Sequence, residues 1–157
     1  MTEASLRSVI PPGASLLVDT SVALAYLTGT EPTSSLAVEL FDSLIATGRN
    51  AAALSMITVQ EILVRPFRSG TAAVATAEGF LRHFAEIRLV EVTYDIAREA
   101  ARIRATTGIR APDALIIATA VISQVDVLVT NNRSWHDRSD TIAPGLTICL
   151  LADTSPV

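Results

Sequence analysis

An α/β fold with a mainly parallel central sheet is what this 157-residue sequence predicts. Three observations carry that reading. Short apolar runs of strand length recur along the chain, segments with helical apolar spacing stand between them, and Gly or Pro punctuates the junctions. Strands that alternate with helices pair in parallel, and ligands then bind beyond the carboxyl ends of the strands.

Residues 1–13 are polar, end in Pro11-Pro12-Gly13 and read as a loose N-terminal arm; residues 14–157 read as one domain. Ser15 to Val18 is an apolar run ending at Asp19, the pattern of a buried parallel strand, and Thr20 to Leu27 reads as a helix. Thr33 or Ser34 can cap the next helix. Its stripe is Leu36, Leu40 and Leu44 beside Ala37, Phe41 and Ile45, and Gly48 stops it. A strand over Ala51 to Leu54 follows. Ser55 or Thr58 then opens a helix that carries Glu61, runs to about Val64 and is broken by Pro66. Residues 71–85 are helical in pattern, and Arg88 to Val92 is a strand. Thr93 caps a helix ending before Gly108. Pro112 sits in the first turn of a helix that reaches about Ser123 and is apolar nearly all round, hence central and buried. Val125 to Thr130 and Leu146 to Leu150 are the last strands.

Bulk properties narrow the chemistry. Half the residues are hydrophobic and the mean hydropathy is +0.44, which fits either an Ala-rich helical protein or extra apolar surface covered by a partner. The net charge is −4 and the pI about 5.1, whereas nucleic-acid binders are usually basic. Bound divalent cations invert the field of an acidic site, and basic side chains on its rim can hold phosphates. All twelve basic residues are Arg, so Schiff-base and P-loop lysine chemistry is excluded. A single cysteine, Cys149, excludes an internal disulfide and a Cys-based zinc site; it stands in an apolar run and reads as core. His83 and His136 have no ligand spacing. With no signal peptide and no run of about 20 apolar residues, a cytoplasmic location away from membranes is expected.

Four polar positions stand out. Asp19 ends the first strand, at the mouth of the sheet, where it is either a partly desolvated functional carboxylate or a helix N-cap. Glu61 lies in an apolar stretch, and Thr58-x-x-Glu61 is also a capping-box pattern; with Ser55 as the cap, Glu61 lies further in and faces the site or solvent. Asp113 follows Pro112 in the first turn of the buried helix, where the dipole favours the ionised form and little exposed face is available, so an unpaired charge there wants a cation. Asn132 follows the late strand with Thr130 and Asn131, in what reads equally as an Asn-rich turn. Asp126, Asp137 and Asp140 read as surface residues, with Asp137 near enough to be an alternative fourth member. Hard oxygen donors without His or Cys suit Mg²⁺ or Mn²⁺, ions that serve phosphodiester displacement.

Taken in order, Leu-Val-Asp19-Thr20-Ser21-Val22, Glu61-Ile62-Leu63, Ala111-Pro112-Asp113-Ala114-Leu115-Ile116-Ile117-Ala118 and Leu128-Val129-Thr130-Asn131-Asn132 resemble the PIN-domain family, and most of all the VapC-type toxins of bacterial toxin–antitoxin pairs. The resemblance covers nearly the whole chain after the arm. It implies a three-layer α/β/α sandwich and Mg²⁺- or Mn²⁺-dependent cleavage of RNA. It implies a homodimer and a cognate antitoxin as partners. It makes Asp19, Glu61 and Asp113 the acidic metal ligands, places Asn132 at the fourth position and makes Thr20 and Thr130 supporting hydroxyls. The arm is longer than such toxins usually have, and an amide at the fourth position leaves three formal negative charges. Arg65, Arg68, Arg110, Arg133 and Arg138 flank the motifs and are candidates for RNA phosphate contact.

Other strand-Asp proteins fit less well. A haloacid-dehalogenase phosphatase needs a second Asp where Ser21 stands, a receiver domain needs a late Lys, and a Rossmann domain needs a glycine-rich first turn. A non-catalytic PIN-like module that binds RNA or protein, and a PIN nuclease of RNA processing, remain the rivals.

Overall fold

A computed structural model describes residues 4–155. Its centre is a five-stranded, all-parallel sheet of β2 (Leu16–Val18), β3 (Ala52–Ser55), β4 (Ile87–Val90), β5 (Val127–Thr130) and β6 (Thr147–Leu150), in the order β4-β3-β2-β5-β6. The strands are short and nearly all apolar because both faces are covered. Alternation along each strand sorts the side chains into two layers. Leu16, Val18, Ala52, Leu54, Val127, Val129 and Cys149 enter one core; Leu17, Ala53, Leu128 and Ile148 enter the other. The α/β sandwich expected from the sequence is therefore the observed architecture.

The first core is closed by α2 (Thr20–Thr28), α3 (Ser34–Val38), α4 (Met56–Ser69) and α5 (Thr71–His83). Four of its aromatic rings, Tyr26, Phe41, Phe80 and Phe84, pack on one another with centroids 4.6 to 5.9 Å apart, mostly edge to face. The second core is closed by α6 (Tyr94–Thr107) and α7 (Ala111–Ile122), with Trp135 of α8 (Arg133–Asp137) and Ile142 of α9 (Ser139–Ile142). As its all-round apolarity requires, α7 buries Ala114 and every residue from Ile116 to Ala120. Thr93 and Gly108 bound α6 as expected: the Thr93 hydroxyl accepts from the Ile96 N–H, and Gly108 takes the left-handed conformation.

Three expectations are corrected. Over residues 4–13 the N-terminal arm is not loose, and its first three residues lie outside the described ones. Ala4–Ser5 (β1) pairs in parallel with Thr154–Ser155 (β7), α1 (Leu6–Val9) follows, and Leu6 and Ile10 are fully buried in the first core. Asn50 holds the same segment from below: its buried amide donates to the carbonyls of Pro11 (2.8 Å) and Ala14 (2.9 Å). Polar composition misled here, because two apolar anchors, Leu6 in the short helix and Ile10 just after it, suffice. Secondly, Pro66 does not end α4. A proline removes one N–H and crowds the preceding turn, yet α4 runs on to Ser69, held against α5, and Gly70 then turns the chain at φ 128°. Thirdly, the helix carrying Leu36 to Ile45 changes hydrogen-bond pattern at Glu39–Ile45, where a π-helical stretch ends with the Ala46 N–H on the Phe41 carbonyl (2.8 Å). The stripe itself is as expected: Leu36, Ala37, Leu40, Phe41, Leu44 and Ile45 are all buried.

The chain leaves β2 towards β3 and β4 on one side and returns to β5 on the other, so the strand order reverses between β2 and β5. Such a reversal opens a crevice at the carboxyl ends of the two strands.

If residues 6–10 are core, Leu6→Ala lowers unfolding stability by about 2–5 kcal/mol, the range for a buried leucine. Urea denaturation reads this directly; a loss below about 1 kcal/mol would mean that the segment is an appendage.

Candidate functional site

Asp19 follows β2 and is held at the crevice by its main chain, whose N–H donates to the Val129 carbonyl of β5 (2.9 Å). It stands at the N-cap of α2, but its carboxylate makes no capping bond. Instead Oδ2 receives two hydroxyls, from Ser21 (2.7 Å) and Thr130 (2.9 Å). Each hydroxyl is in turn fixed by a main-chain N–H from the turn after β5: Asn131 donates to Ser21 Oγ (3.2 Å) and Asn132 to Thr130 Oγ1 (3.0 Å). The carboxylate is only 5% exposed, and no ion pair among the described residues includes it. Burial pushes its pKa up; the hydroxyls of Ser21 and Thr130 and the Thr20 N–H oppose that, and the negative charge of Asp113 adds to it.

A cavity of about 660 Å³ opens over Asp19. Its lining includes Glu61 and Asp113, together with Thr20, Ser21, Leu24, Arg110, Asn131, Asn132, Arg133 and Trp135. Three elements thus deliver three acids to one space. Ser55, not Thr58, caps α4: its hydroxyl accepts from the Ile57 N–H (3.1 Å). That frees Glu61 from a capping box and turns it to the cavity. Thr58 is fully buried and accepts from the Thr20 hydroxyl (2.9 Å), tying the start of α4 to the turn after Asp19. Asp113 occupies the first turn of α7 with a quarter of its side chain exposed; the Arg110 guanidinium is 3.9 Å away and lies largely in solvent.

The remaining sequence candidates divide. Asn132 lines the cavity, but its Oδ1 is engaged as the N-cap of α8, accepting from the Ser134 N–H (3.1 Å). Its neighbour Asn131 has a buried Oδ1 with no hydrogen-bond partner. Of the five arginines, Arg110 and Arg133 line the cavity. Arg65 is on the adjoining groove between α2, α4 and α5, Arg68 is exposed at the end of α4, and Arg138 bonds the Thr107 carbonyl (3.1 Å). Asp137 pairs with His136 (3.0 Å) and is not among the lining residues; Asp126 binds Ser15 at the opposite end of the sheet. Ser21 was not singled out from the sequence, and Asn131, placed with Asn132 after the late strand, was given no role of its own. Ser21 carried a signal, a hydroxyl two residues after the acid; the orphaned amide oxygen of Asn131 carried none.

Among the described residues no group of three or more Asp, Glu, His or Cys side chains is gathered tightly enough to hold a metal ion by itself. The donors nevertheless fit a hydrated hard cation. They are all oxygens, the central one is a buried carboxylate without a cationic partner, and one amide oxygen is buried and unsatisfied. Mg²⁺ typically keeps several waters and takes only one or two protein carboxylates.

The family model for the PIN domain matches residues 16–140. The chain belongs to the PIN domain family. Solved structures share its PIN fold at low identity. FitAcB from Neisseria gonorrhoeae has a TM-score of 0.65 at 22% identity, covering 87% of this chain and 98% of that one. VapBC2 from Rickettsia felis, bound to a promoter DNA fragment, has a TM-score of 0.62 at 18% identity, covering 85% and 96%. VapC20 from Mycobacterium tuberculosis, a toxin that cleaves the sarcin–ricin loop, has a TM-score of 0.59 at 20% identity, covering 72% and 86%. No curated protein sequence matches the chain. No helix among the described residues of this PIN domain is long and apolar enough to cross a membrane.

The sign of the Asp19 shift sets an expectation. A carboxyl whose folded pKa is raised opposes folding when ionised; that cost is complete above the folded pKa and vanishes as pH falls below the unfolded value near 3.8. In EDTA at neutral pH, Asp19→Asn therefore raises the melting temperature, by about 2–4 °C for a gain of 1 kcal/mol in a domain of this length. The difference closes on acidification, and a scan of melting temperature against pH for both proteins checks it.

Proposed function

We propose that this PIN domain is a divalent-metal-dependent endoribonuclease and the toxin of a type II toxin–antitoxin pair. The observation that carries the reading is the buried, cation-free Asp19 carboxylate sharing one cavity with Glu61 and Asp113 at the strand-order reversal. Support for the toxin role comes from structural neighbours that are toxin–antitoxin complexes, and for RNA as substrate from the sarcin–ricin loop cleaved by one of them.

In this reading Asp19, Glu61 and Asp113 hold Mg²⁺ or Mn²⁺, with an amide oxygen from Asn131 or Asn132 beside them. When bound, the ion supplies the Lewis acid for in-line displacement at a phosphodiester. The chain's own residues do the rest. Ser21 and Thr130 fix the rotamer of Asp19 and favour its ionised form. Thr20 and Thr58 keep α4, and so Glu61, in register with the Asp19 turn. Arg110 offers forked donors to the phosphates of a single strand laid across the cavity, and Arg133, whose fork is engaged by Asp153, lies beside it.

In this reading the antitoxin docks beside the site. An apolar groove of about 440 Å³, lined by Leu27, Ile62, Pro66 and Ala77, shares Leu24 with the catalytic cavity. Val64 and Phe67 on α4 are among the exposed large hydrophobics that a second copy of the chain could cover; a monomeric mass in light scattering at micromolar concentration would count against the homodimer. A cytoplasmic location goes with this role.

The deciding experiment is cleavage of total cellular RNA by purified protein in Mg²⁺ or Mn²⁺, against EDTA. Cleavage is expected with metal only, and Asp19→Asn and Asp113→Asn each lose at least about 100-fold in rate, as removal of a group essential to charge stabilisation does. Well-folded protein that binds RNA but cuts none of it in either metal, across the transcriptome, would establish the non-catalytic module instead.

A further inference from the structure

We infer that Asp153, in the segment beyond the PIN-model match, occupies the guanidinium fork of Arg133 in place of an RNA phosphate and so sets the affinity of the site for its substrate. The inference rests on the nucleic-acid reading above and adds a residue to it.

The sheet creates the pairing. β5 and β6 run parallel with Thr130 opposite Leu150, so the residues that follow the two strands emerge side by side at the functional edge. After β5 come Asn131, Asn132 and Arg133; after β6 comes a 3₁₀ turn, Leu151–Asp153, which leads into β7. Leu151 and Thr154 are buried and anchor that turn, and β7 is itself pinned by β1. Asp153 is therefore presented from a fixed backbone.

The contact is two-pronged. Arg133 Nη2 donates to Asp153 Oδ1 at 2.8 Å and Nη1 to Oδ2 at 3.4 Å. This is the geometry with which a guanidinium grips a phosphate, and one fork cannot serve both at full strength. Arg133 lines the cavity that holds Asp19, Glu61 and Asp113, so a phosphate arriving there meets a fork already filled by a carboxylate. Both side chains are about half exposed, which makes the pair weak enough to be exchanged. A strong buried pair would be permanent architecture; this one is a competitor. Asp153 also brings a negative charge to the approach of a polyanion, on a chain already at −4.

The test measures binding of a fluorescent single-stranded RNA oligonucleotide in EDTA, in the cleavage-dead Asp19→Asn background, at several salt concentrations. Asp153→Asn is expected to bind about three- to tenfold tighter. Its slope of log affinity against log salt is steeper by about 0.7, the signature of one more phosphate contact on a single strand. Arg133→Gln alone weakens binding little, because the fork is already filled, and adding Arg133→Gln to Asp153→Asn abolishes the gain. Equal or weaker binding by Asp153→Asn, or a gain that survives Arg133→Gln, overturns the inference; weaker binding in particular would mean that Asp153 orients Arg133. No binding by any variant overturns it too. Failure of the nuclease reading is separate: it shows as RNA binding without metal-dependent cleavage by the wild-type protein, with the Asp153 effect intact.

Discussion

A single carboxylate oxygen organises this structure. Oδ2 of Asp19 accepts from Ser21 and Thr130, and those hydroxyls accept from the main chain of Asn131 and Asn132. Four hydrogen bonds thus tie the end of β2, the first turn of α2 and the turn after β5 into one unit. The arrangement compensates a buried anion with neutral donors rather than with an arginine. A guanidinium would satisfy the charge more strongly, but it would occupy the space where the proposed cation would sit. Hydroxyls hold the carboxylate in place and leave its electrostatic demand unmet, which is the condition for binding a divalent ion from solution.

Much of this was legible in the sequence, and the reasons are local. Apolar runs ending in Asp19 and in Thr130 define buried parallel strands, and the rule that ligands sit beyond strand ends selects both positions without any knowledge of their contacts. The spacing of Leu36, Leu40 and Leu44, the cap at Thr93 and the all-round apolarity of α7 are each properties of a few consecutive residues. What the sequence concealed depends on distant partners. Whether Ser55 or Thr58 caps α4 turns on which backbone bends, and only the fold tells. The continuation of α4 through Pro66 reflects packing against α5 overriding a local breaker. The N-terminal segment looked polar by composition, yet Leu6 and Ile10 find a core supplied by residues far along the chain. Asn131 and Asn132 are adjacent and chemically identical; one became a helix cap and the other kept an unpaired oxygen, a difference that no pattern of residue types contains.

The charge distribution bears on the tension between an acidic protein and the anionic substrate proposed for it. The acids of the cavity are set deep or half-deep, while the Arg110 guanidinium stands at its rim largely in solvent and that of Arg133, about half exposed, is paired with Asp153. Exposed charges are screened beyond about a Debye length and act at close approach, where Arg110 is more exposed than the recessed acids. An approaching polyanion therefore meets the rim first.

The all-parallel sheet also imposes an order in time. β2 pairs with both β3 and β5, and the hydroxyl that completes the Asp19 cradle comes from a residue 111 positions later. At translation speeds of about 5–20 residues per second, roughly 6–20 s separate the synthesis of Asp19 from that of Thr130. The Asp19 cradle therefore closes only after Thr130 has been made, and until then the nascent chain carries the acid without the contacts that orient it.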